Sequence, residues 1–381
     1  MMRAVSATSV NHDPYRAGMA LGEALGAVEP EVVFLFSSIH FAAPDLIEGL
    51  YDGLGRDDVI VVGNSGDGCF ESSGVFDYGA AALGLNSDGR VSWRLDRVCD
   101  LNDNLERKLE GLISRVSEGE LPRLAYLVSD FRVDPCVVEA TLNRTAAFPI
   151  VGGLAMDDRK GAACFIYANG EVTNDAIVML AAYGDLEFSL AVGNSQPSVG
   201  HPGRIESANS HIIDRIDGVT AAEFIERETG KPVLQTDRGV LSVRISSPNG
   251  PDEARLRSIM LKATLSSGSL GFFGGVNVGE TVQACQADPE IMLDEIRRIA
   301  ARLRGQGSEP AAALIVSCTG RKAFLGPLIE REVNELKQAF SPGLPIAGFP
   351  SRGEISPLPR GEGYTRNLFH NMTCATVVFW R

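Results

Sequence analysis

Positive charge is scarce in this chain: 35 Lys and Arg stand against 49 Asp and Glu, a formal net charge of −14. Nucleic-acid binding draws its affinity from clustered basic residues that displace counterions, so a nucleic-acid partner is excluded. The same acidity removes any attraction to anionic membrane surfaces. Long apolar runs are missing too. None approaches the ~20 residues that span a bilayer, and the opening stretch MMRAVSATSVNHDPY lacks the apolar core of a secretory leader. The seven cysteines are odd in number and form no C-x-x-C pair, which is cysteine used as a small buried hydrophobe in a reducing compartment. His12, His40, His201, His211 and His370 show neither H-x-x-x-H nor C-x-x-C-H spacing, so the sequence encodes no evident metal site. These absences predict a cytoplasmic chain.

What is present is a pattern read three times. EVVFLFSS (31–38) is a continuous apolar run with a polar end, the mark of a strand buried on both faces. Pro44 then opens a helix with Leu46, Ile47, Leu50 and Leu54 on one face, and a second strand enters Gly63. LAYLVSD (124–130), a helix from Pro135 and FPIVGG (148–153) repeat the order. AALIVSC (312–318), a helix with Ile329, Val333, Leu336 and Phe340, and LPIAGFPSRGEI (344–355) repeat it again. Each copy returns through a further apolar strand, at 79–85, 176–183 and 374–380. The glycine loops are thus expected as corners at the carboxyl ends of parallel strands, where open α/β sheets bind ligands.

Other segments fill in around the repeat. DLNDNLERKLEGLISRV (100–116) and DPEIMLDEIRRIAARLRG (288–305) read as amphipathic helices, and TAAEFIERETG (220–230) carries a capping box. VLSVRISS, LRSIMLKATLSSGSLGFFGG and ETVQACQ read as strands with glycine turns. The expected fold is α/β, with repeated βαβ units, mixed sheets and two domains, 1–218 and 219–381. A length of 381 residues suits two domains better than one core.

The loop VVGNSGDGCF invites a phosphate reading, but Cys69 stands where a phosphate loop needs lysine. Two readings of the glycine corners remain. In one, Gly63, Gly152 and Gly348 only permit backbone angles or close packing. In the other, Ser38, His40, Gly63, Asn64, Ser65, Asp67, Gly152, Gly153, Cys318, Arg321, Gly348, Ser351, Arg352 and Glu354 line a pocket. Backbone N–H groups and Arg352 would hold a carboxylate, while Asp67 or Glu354 would hold an ammonium, which suits an amino acid or similar zwitterion. In SCTGRK, Cys318 lies beside Arg321 and Lys322, and such cations lower a thiol pKa. The alternative is a buried cysteine filling space, and no His or Asp accompanies it in the motif. His40, just past the first strand, is the histidine to test as a haem ligand. Asp157 and Asp158 are either a cation site or a solvated pair.

The residues quoted above carry a family resemblance. VVFLFSS, VVGNSGDG and FPIVGGLAMDD resemble the N-terminal half of a FIST sensory protein. LRSIM, GSLGFFGGVNVGETV, ADPE, IVSCTGRK, IAGFPSRGEI and HNMTCATVVF are similar to its C-terminal half. The first glycine loop departs from the family's usual G-C-[ST]-[ST]-A-G-E-I, with Asn64, Asp67 and Cys69 at three of its positions, while Glu354 keeps the glutamate in the C-terminal copy. The resemblance implies an intracellular sensor of a small metabolite such as an amino acid. Its signal would pass in trans to a histidine kinase or cyclic-nucleotide enzyme, because the repeats take up nearly all of the chain. Some relatives bind haem and report nitric oxide, which makes a haem sensor with His40 as ligand the alternative expectation. A cysteine enzyme using Cys318 is the expectation from a different class.

Overall fold

Asp13, Asp134 and Asp288 each precede a proline and each caps a helix, the carboxylate accepting a backbone N–H of the first turn. The proline supplies helical φ at a position whose N–H has no partner anyway. These caps punctuate three successive units in the computed structural model, which describes residues 1–41, 43–194, 196–234, 240–247, 250–260, 267–307, 309–361 and 363–381.

Unit one runs β1 (Arg3–Ser9), α1 (Pro14–Leu25), β2 (Val32–Ser38), α2 (Pro44–Leu54), β3 (Ile60–Gly66), β4 (Cys69–Glu71), β5 (Gly74–Phe76) and β6 (Ala80–Asn86). Unit two repeats the order as β7 (Val91–Cys99), α3 (Leu105–Val116), β8 (Leu124–Ser129), α4 (Pro135–Thr145), β9 (Ile150–Leu154), β10 (Ile166–Ala168), β11 (Glu171–Thr173) and β12 (Ala176–Gly184). Unit three opens with β13 (Phe188–Gly193). An excursion follows through β14 (Ser198–Asn209), β15 (Ile212–Ile216), β16 (Val219–Thr220), α5 (Ala221–Thr229), β17 (Leu241–Ser247), β18 (Gly250–Met260), β19 (Leu270–Phe272) and β20 (Thr281–Gln286). The unit resumes as α6 (Pro289–Arg304), β21 (Pro310–Cys318), α7 (Thr319–Leu325), α8 (Glu330–Ala339) and β22 (Ile346–Ser351). It ends with β23 (Glu354–Ser356), β24 (Pro359–Arg360), β25 (Gly363–Tyr364), β26 (Leu368–His370) and β27 (Cys374–Trp380).

Each unit builds one sheet, and each sheet is completed by a neighbour. The orders are β1-β6-β2-β3-β10-β11, β7-β12-β8-β9-β23-β26 and β13-β27-β21-β22-β4-β5. The pairs β2/β3, β8/β9 and β21/β22 are parallel. After each parallel pair the chain crosses over: β4–β5 join the third sheet, β10–β11 the first, and β23 with β26 the second. The three exchanges close a cycle, so no sheet is complete without a piece of another unit.

Burial on both faces explains the unbroken apolar runs. Val32, Phe34 and Phe36 point into a core shared by all three sheets, as do Leu124, Tyr126 and Val128, and Ala312, Leu314 and Val316. The alternate residues pack outward under the helices: Val33 and Leu35 against α1 and α2, Ala125 and Leu127 against α3 and α4, Ala313 and Ile315 against α6 and α8. The excursion forms a fourth sheet, β14-β20-β17-β18-β19-β15-β16, with its own core under α5. The division expected near residue 218 falls between β15 and β16, which pair with each other. Of the expected strand region LRSIMLKATLSSGSLGFFGG, residues 261–266 lie outside the described residues.

The glycines are not in the loops, as the sequence pattern suggested, but inside the second parallel strand of each unit. Gly63 is paired with Leu35, Gly152 with Leu127 and Gly348 with Ile315. A Cβ at any of the three would collide with the carbonyl oxygen of that paired residue. The corner itself comes about three residues later. Gly63→Ala, Gly152→Ala and Gly348→Ala should each destabilise by roughly 2 kcal/mol or more, because backbone cannot yield as a side chain does. Gly26→Ala, where a Cβ meets nothing within 4 Å, should leave stability nearly unchanged. Urea denaturation of the four variants checks this, and equal effects at all four positions would refute the close-approach account.

Candidate functional site

The three corners meet one another, and hydrogen bonds join them in a ring. Corner one reaches corner two through Ser65, whose Oγ donates to Met156 O at 3.0 Å and accepts from Phe165 N at 2.9 Å. Corner two reaches corner three through backbone alone: Leu154 N donates to Gly353 O at 3.0 Å and Arg352 N to Leu154 O at 3.1 Å. The ring closes on corner one through Asp67, which accepts from Thr319 Oγ1 at 2.8 Å, at the end of β21 where Cys318 pairs with Ser351 of corner three, and which faces Arg159 Nε of the loop after β9 at 3.3 Å. Lys322 donates to the Asp67 carbonyl and pairs with Asp77 at 2.5 Å.

Most of the residues expected to line a pocket serve this ring or the layers beneath it. Ser38 Oγ accepts from Gly79 N at 3.4 Å. Asn64 is fully buried, donating to Ser65 O and accepting from Tyr126 OH at 2.9 Å each. Gly153 lies where a Cβ would crowd Gly353 O. Arg321 and Glu332, both with no exposed side-chain surface, form a buried ion pair at 2.6 Å, and Ser317 Oγ adds a bond to Glu332 at 2.8 Å. Ser351 Oγ and Thr373 Oγ1 donate to Glu354 at 2.5 and 2.7 Å. Glu354 has no exposed surface, and burial raises its pKa to about 7 despite these bonds.

Two of the expected residues, Arg352 and Cys318, also reach a cleft between the ring and the fourth sheet. The Arg352 guanidinium lies 4.8 Å from the Phe131 ring centre and 5.8 Å from that of Phe273, a cation flanked by two aromatic faces. On one side is a cavity of about 60 Å³ reached by Cys318, Thr319 and Met156. On the other is a cavity of about 250 Å³ walled by Leu154, Met260, Phe272, Phe273 and Phe369, with Asp134 and His211 on its lining. Burial pushes the Cys318 thiol well above its ordinary range and Glu354 pushes the same way, so the neighbouring cations of the motif do not make it a thiolate. The aromatic walls escaped sequence reading, although Phe131 directly follows the polar strand end and GFFGG carries Phe272 and Phe273 between glycines.

The metal and haem expectations can be tested against the same geometry. Among the described residues no group of three His, Cys, Asp or Glu could hold a metal ion. Asp157 is spent on its own loop, accepting from Gly161 N and Ala162 N at 2.9 and 2.7 Å, and Asp158 pairs with Lys160 at 2.7 Å. Haem needs a ligand side chain over an apolar slot. His40 is exposed, with its ring 5.6 Å from that of the partly exposed Tyr78. These surroundings do not fit haem. His370 is fully buried with Nε2 at 2.9 Å from Ser356 O, and burial lowers its pKa to about 4. No helix among the described residues is long and apolar enough to cross a membrane.

Glu354 generates a pH prediction. Its folded pKa lies above the value of about 4.5 expected when unfolded, so the folded chain holds the extra proton between those values. Its contribution to stability is therefore complete below pH 4.5 and lost as pH rises through 7. Glu354→Gln should remove that loss, on the order of 3 kcal/mol. Melting curves from pH 5 to 8 should show the variant gaining on the parent as pH rises, and parallel curves would refute the assignment.

Comparison with known proteins places these features in a family. The FIST N domain matches residues 31–219 and the FIST C domain residues 221–357. An uncharacterised protein of Mycobacterium bovis is 24% identical over 245 residues, covering 60% of each chain. One from Methanocaldococcus jannaschii is 21% identical over 220 residues, covering 55% of this chain and 43% of that one. The match thus spans about 60% or less of these relatives' length. Among solved structures, cyanuric acid hydrolase from A. caulinodans aligns over 100% of this chain and 99% of its own, at 10% identity and a TM-score of 0.31, too low to carry an argument. With both matched segments together covering most of its length, the chain belongs to the FIST family, whose N and C domains are sensory, signal-transduction modules.

Proposed function

We propose that this sensor takes a small carboxylate-bearing metabolite, an amino acid being the class that fits best, into the cleft between the corner ring and the fourth sheet. The observation that carries the reading is Arg352 held between Phe131 and Phe273 with a cavity on each side. A guanidinium matches a carboxylate with two parallel hydrogen bonds, and the aromatic walls beside it accept an apolar side chain. Asp134, on the lining of the larger cavity, supplies a carboxylate for the ammonium end. Compared with the corner positions expected from sequence, Arg352 remains in the reading, while Asp67 and Glu354 support it from inside the ring.

The cleft has one wall on the three-unit body and one on the fourth sheet. A ligand touching both favours one arrangement of the two, and a partner in trans, such as a histidine kinase or cyclic-nucleotide enzyme, would read that arrangement. Seven free cysteines agree with a cytoplasmic setting for such a pair.

A thermal-shift screen of the full chain over the amino acids and small organic acids tests the reading. A ligand at a hundredfold excess over its Kd adds about 2.7 kcal/mol of apparent stability, a rise of a few degrees in Tm. Arg352→Ala should abolish that rise. No stabilisation by any compound, or an undiminished response in Arg352→Ala, overturns the reading.

A further inference from the structure

The two cavities that meet at Arg352 differ in size and in chemistry, although Arg352 and Phe273 line both. The larger, about 250 Å³, has the partly exposed Phe131, Pro135, Met260 and Phe273 on its walls and Asp134 as the acidic residue among those described. An apolar cavity of about 150 Å³ is enough to hold benzene, so an aryl ring has room here. The smaller, about 60 Å³, matches about two waters at ~30 Å³ each, which is the room a carboxylate takes and a ring does not. Arg159 and Arg352 are both on its walls, with the hydroxyls of Ser258 and Thr319 and the amide of Asn371, and none of its described lining residues is acidic.

Arg159 is set beside the small cavity by its loop. Asp157 accepts from Gly161 N and Ala162 N, and a Cβ on Gly161 would come within 3.1 Å of Arg352 Nη1. The loop therefore lies directly against Arg352. Within it Arg159 holds φ at 71°, a left-handed backbone that favours glycine. Such conformations persist only where the surroundings fix them, and ligand clamps are one such place. Its Nε faces Asp67 at 3.3 Å, while its side chain stays half exposed.

On the reading of the cleft given above, we infer that the ligand is a carboxylate with a large apolar body, an aromatic amino acid or an aryl-substituted acid, and that Arg159 is its second carboxylate-binding residue. The carboxylate enters the small cavity between the two guanidiniums, and the body runs past Phe273 into the larger one. The reverse placement would set the carboxylate against Asp134, which suits an ammonium instead. Two guanidiniums on one head group demand a free carboxylate, so an amide is rejected. Glycine has no body to fill the larger cavity, and glutamate would bring a second charge against its apolar walls.

Titration calorimetry on the full chain tests this, with L-phenylalanine and hydrocinnamate as probes and glycine, L-glutamate and L-phenylalaninamide as counterparts. At least one probe should saturate at one site per chain, with the counterparts weaker by about tenfold or more. Arg159→Gly removes the guanidinium from a backbone that accepts glycine. It should weaken the probe by about tenfold or more, the size of one lost charge-assisted hydrogen bond, and Arg159→Lys should recover part of that loss. Parent-like affinity in Arg159→Gly, with Arg352→Ala weakened, overturns the inference and leaves the carboxylate reading standing. So does glycine or glutamate binding as tightly as the probes. Saturation by neither probe also overturns the inference, and the wider screen then tests the reading by itself. Parent-like affinity in Arg352→Ala overturns both.

Discussion

At Gly63, Gly152 and Gly348 a strand runs so close to its parallel neighbour that no Cβ fits between them. The same close passage occurs once per unit, facing Leu35, Leu127 and Ile315 on the helix-covered side of each sheet. It lets the chain turn immediately afterwards and leave for another sheet. With Gly63 the strand reaches Ser65, which binds corner two; with Gly348 it reaches Arg352, whose backbone N–H binds the same corner from the other side. The cyclic exchange of hairpins follows from this turn, and the shared core follows from the exchange. A side chain at one of these glycines would therefore disturb three sheets rather than one.

The ring sets a condition on the site. Backbone and side-chain groups at the corners are already matched to one another, as Asn64, Ser65, Asp67 and Glu354 show. A ligand at the centre of the ring would have to replace those bonds with ones no better. The Arg352 side chain extends from the ring to the cleft, where its guanidinium lies beside the rings of Phe131 and Phe273. Buried charge elsewhere, as in Arg321 with Glu332, holds α7 against α8 beneath β21, where removing one partner would strand the other.

Local pattern made the three units legible in the sequence. The apolar runs, the Asp-Pro helix starts at 134 and 288, and the strand-glycine sequence are all read within one unit. The exchange of hairpins was not legible, because Phe70 pairs with Gly348 and Ile166 with Asn64, and no local periodicity encodes such a distance. The site divided along the same line. Arg352 was identifiable as a cation at a strand end, whereas its partners Phe131 and Phe273 come from unit two and the fourth sheet. Asp67 and Glu354 have the chemistry of ammonium ligands, but burial and Thr319 or Thr373 decide their role, and those neighbours come from other parts of the chain.

Helix α4 links these observations. Cys136, in its first turn, lies on the walls of both the aromatic cavity and a polar one between α4, the ends of β14 and β18 and the turn before β20. One turn on, Glu139 holds Arg257 of β18 and the backbone of Phe369 in β26, so it ties the fourth sheet to the three-unit body. Arg366 with Glu253, Ser258 with Asn371, Arg257 with the Phe369 carbonyl and Ser210 with Cys136 are further polar ties across that boundary. Apart from the aromatic contacts of the cleft, the joint depends on directional bonds to a few charged groups, whereas each sheet of the body is interleaved with the next. A shift between the fourth sheet and the body therefore costs less than any rearrangement within the body, and α4 is the element that both cavities and the joint share.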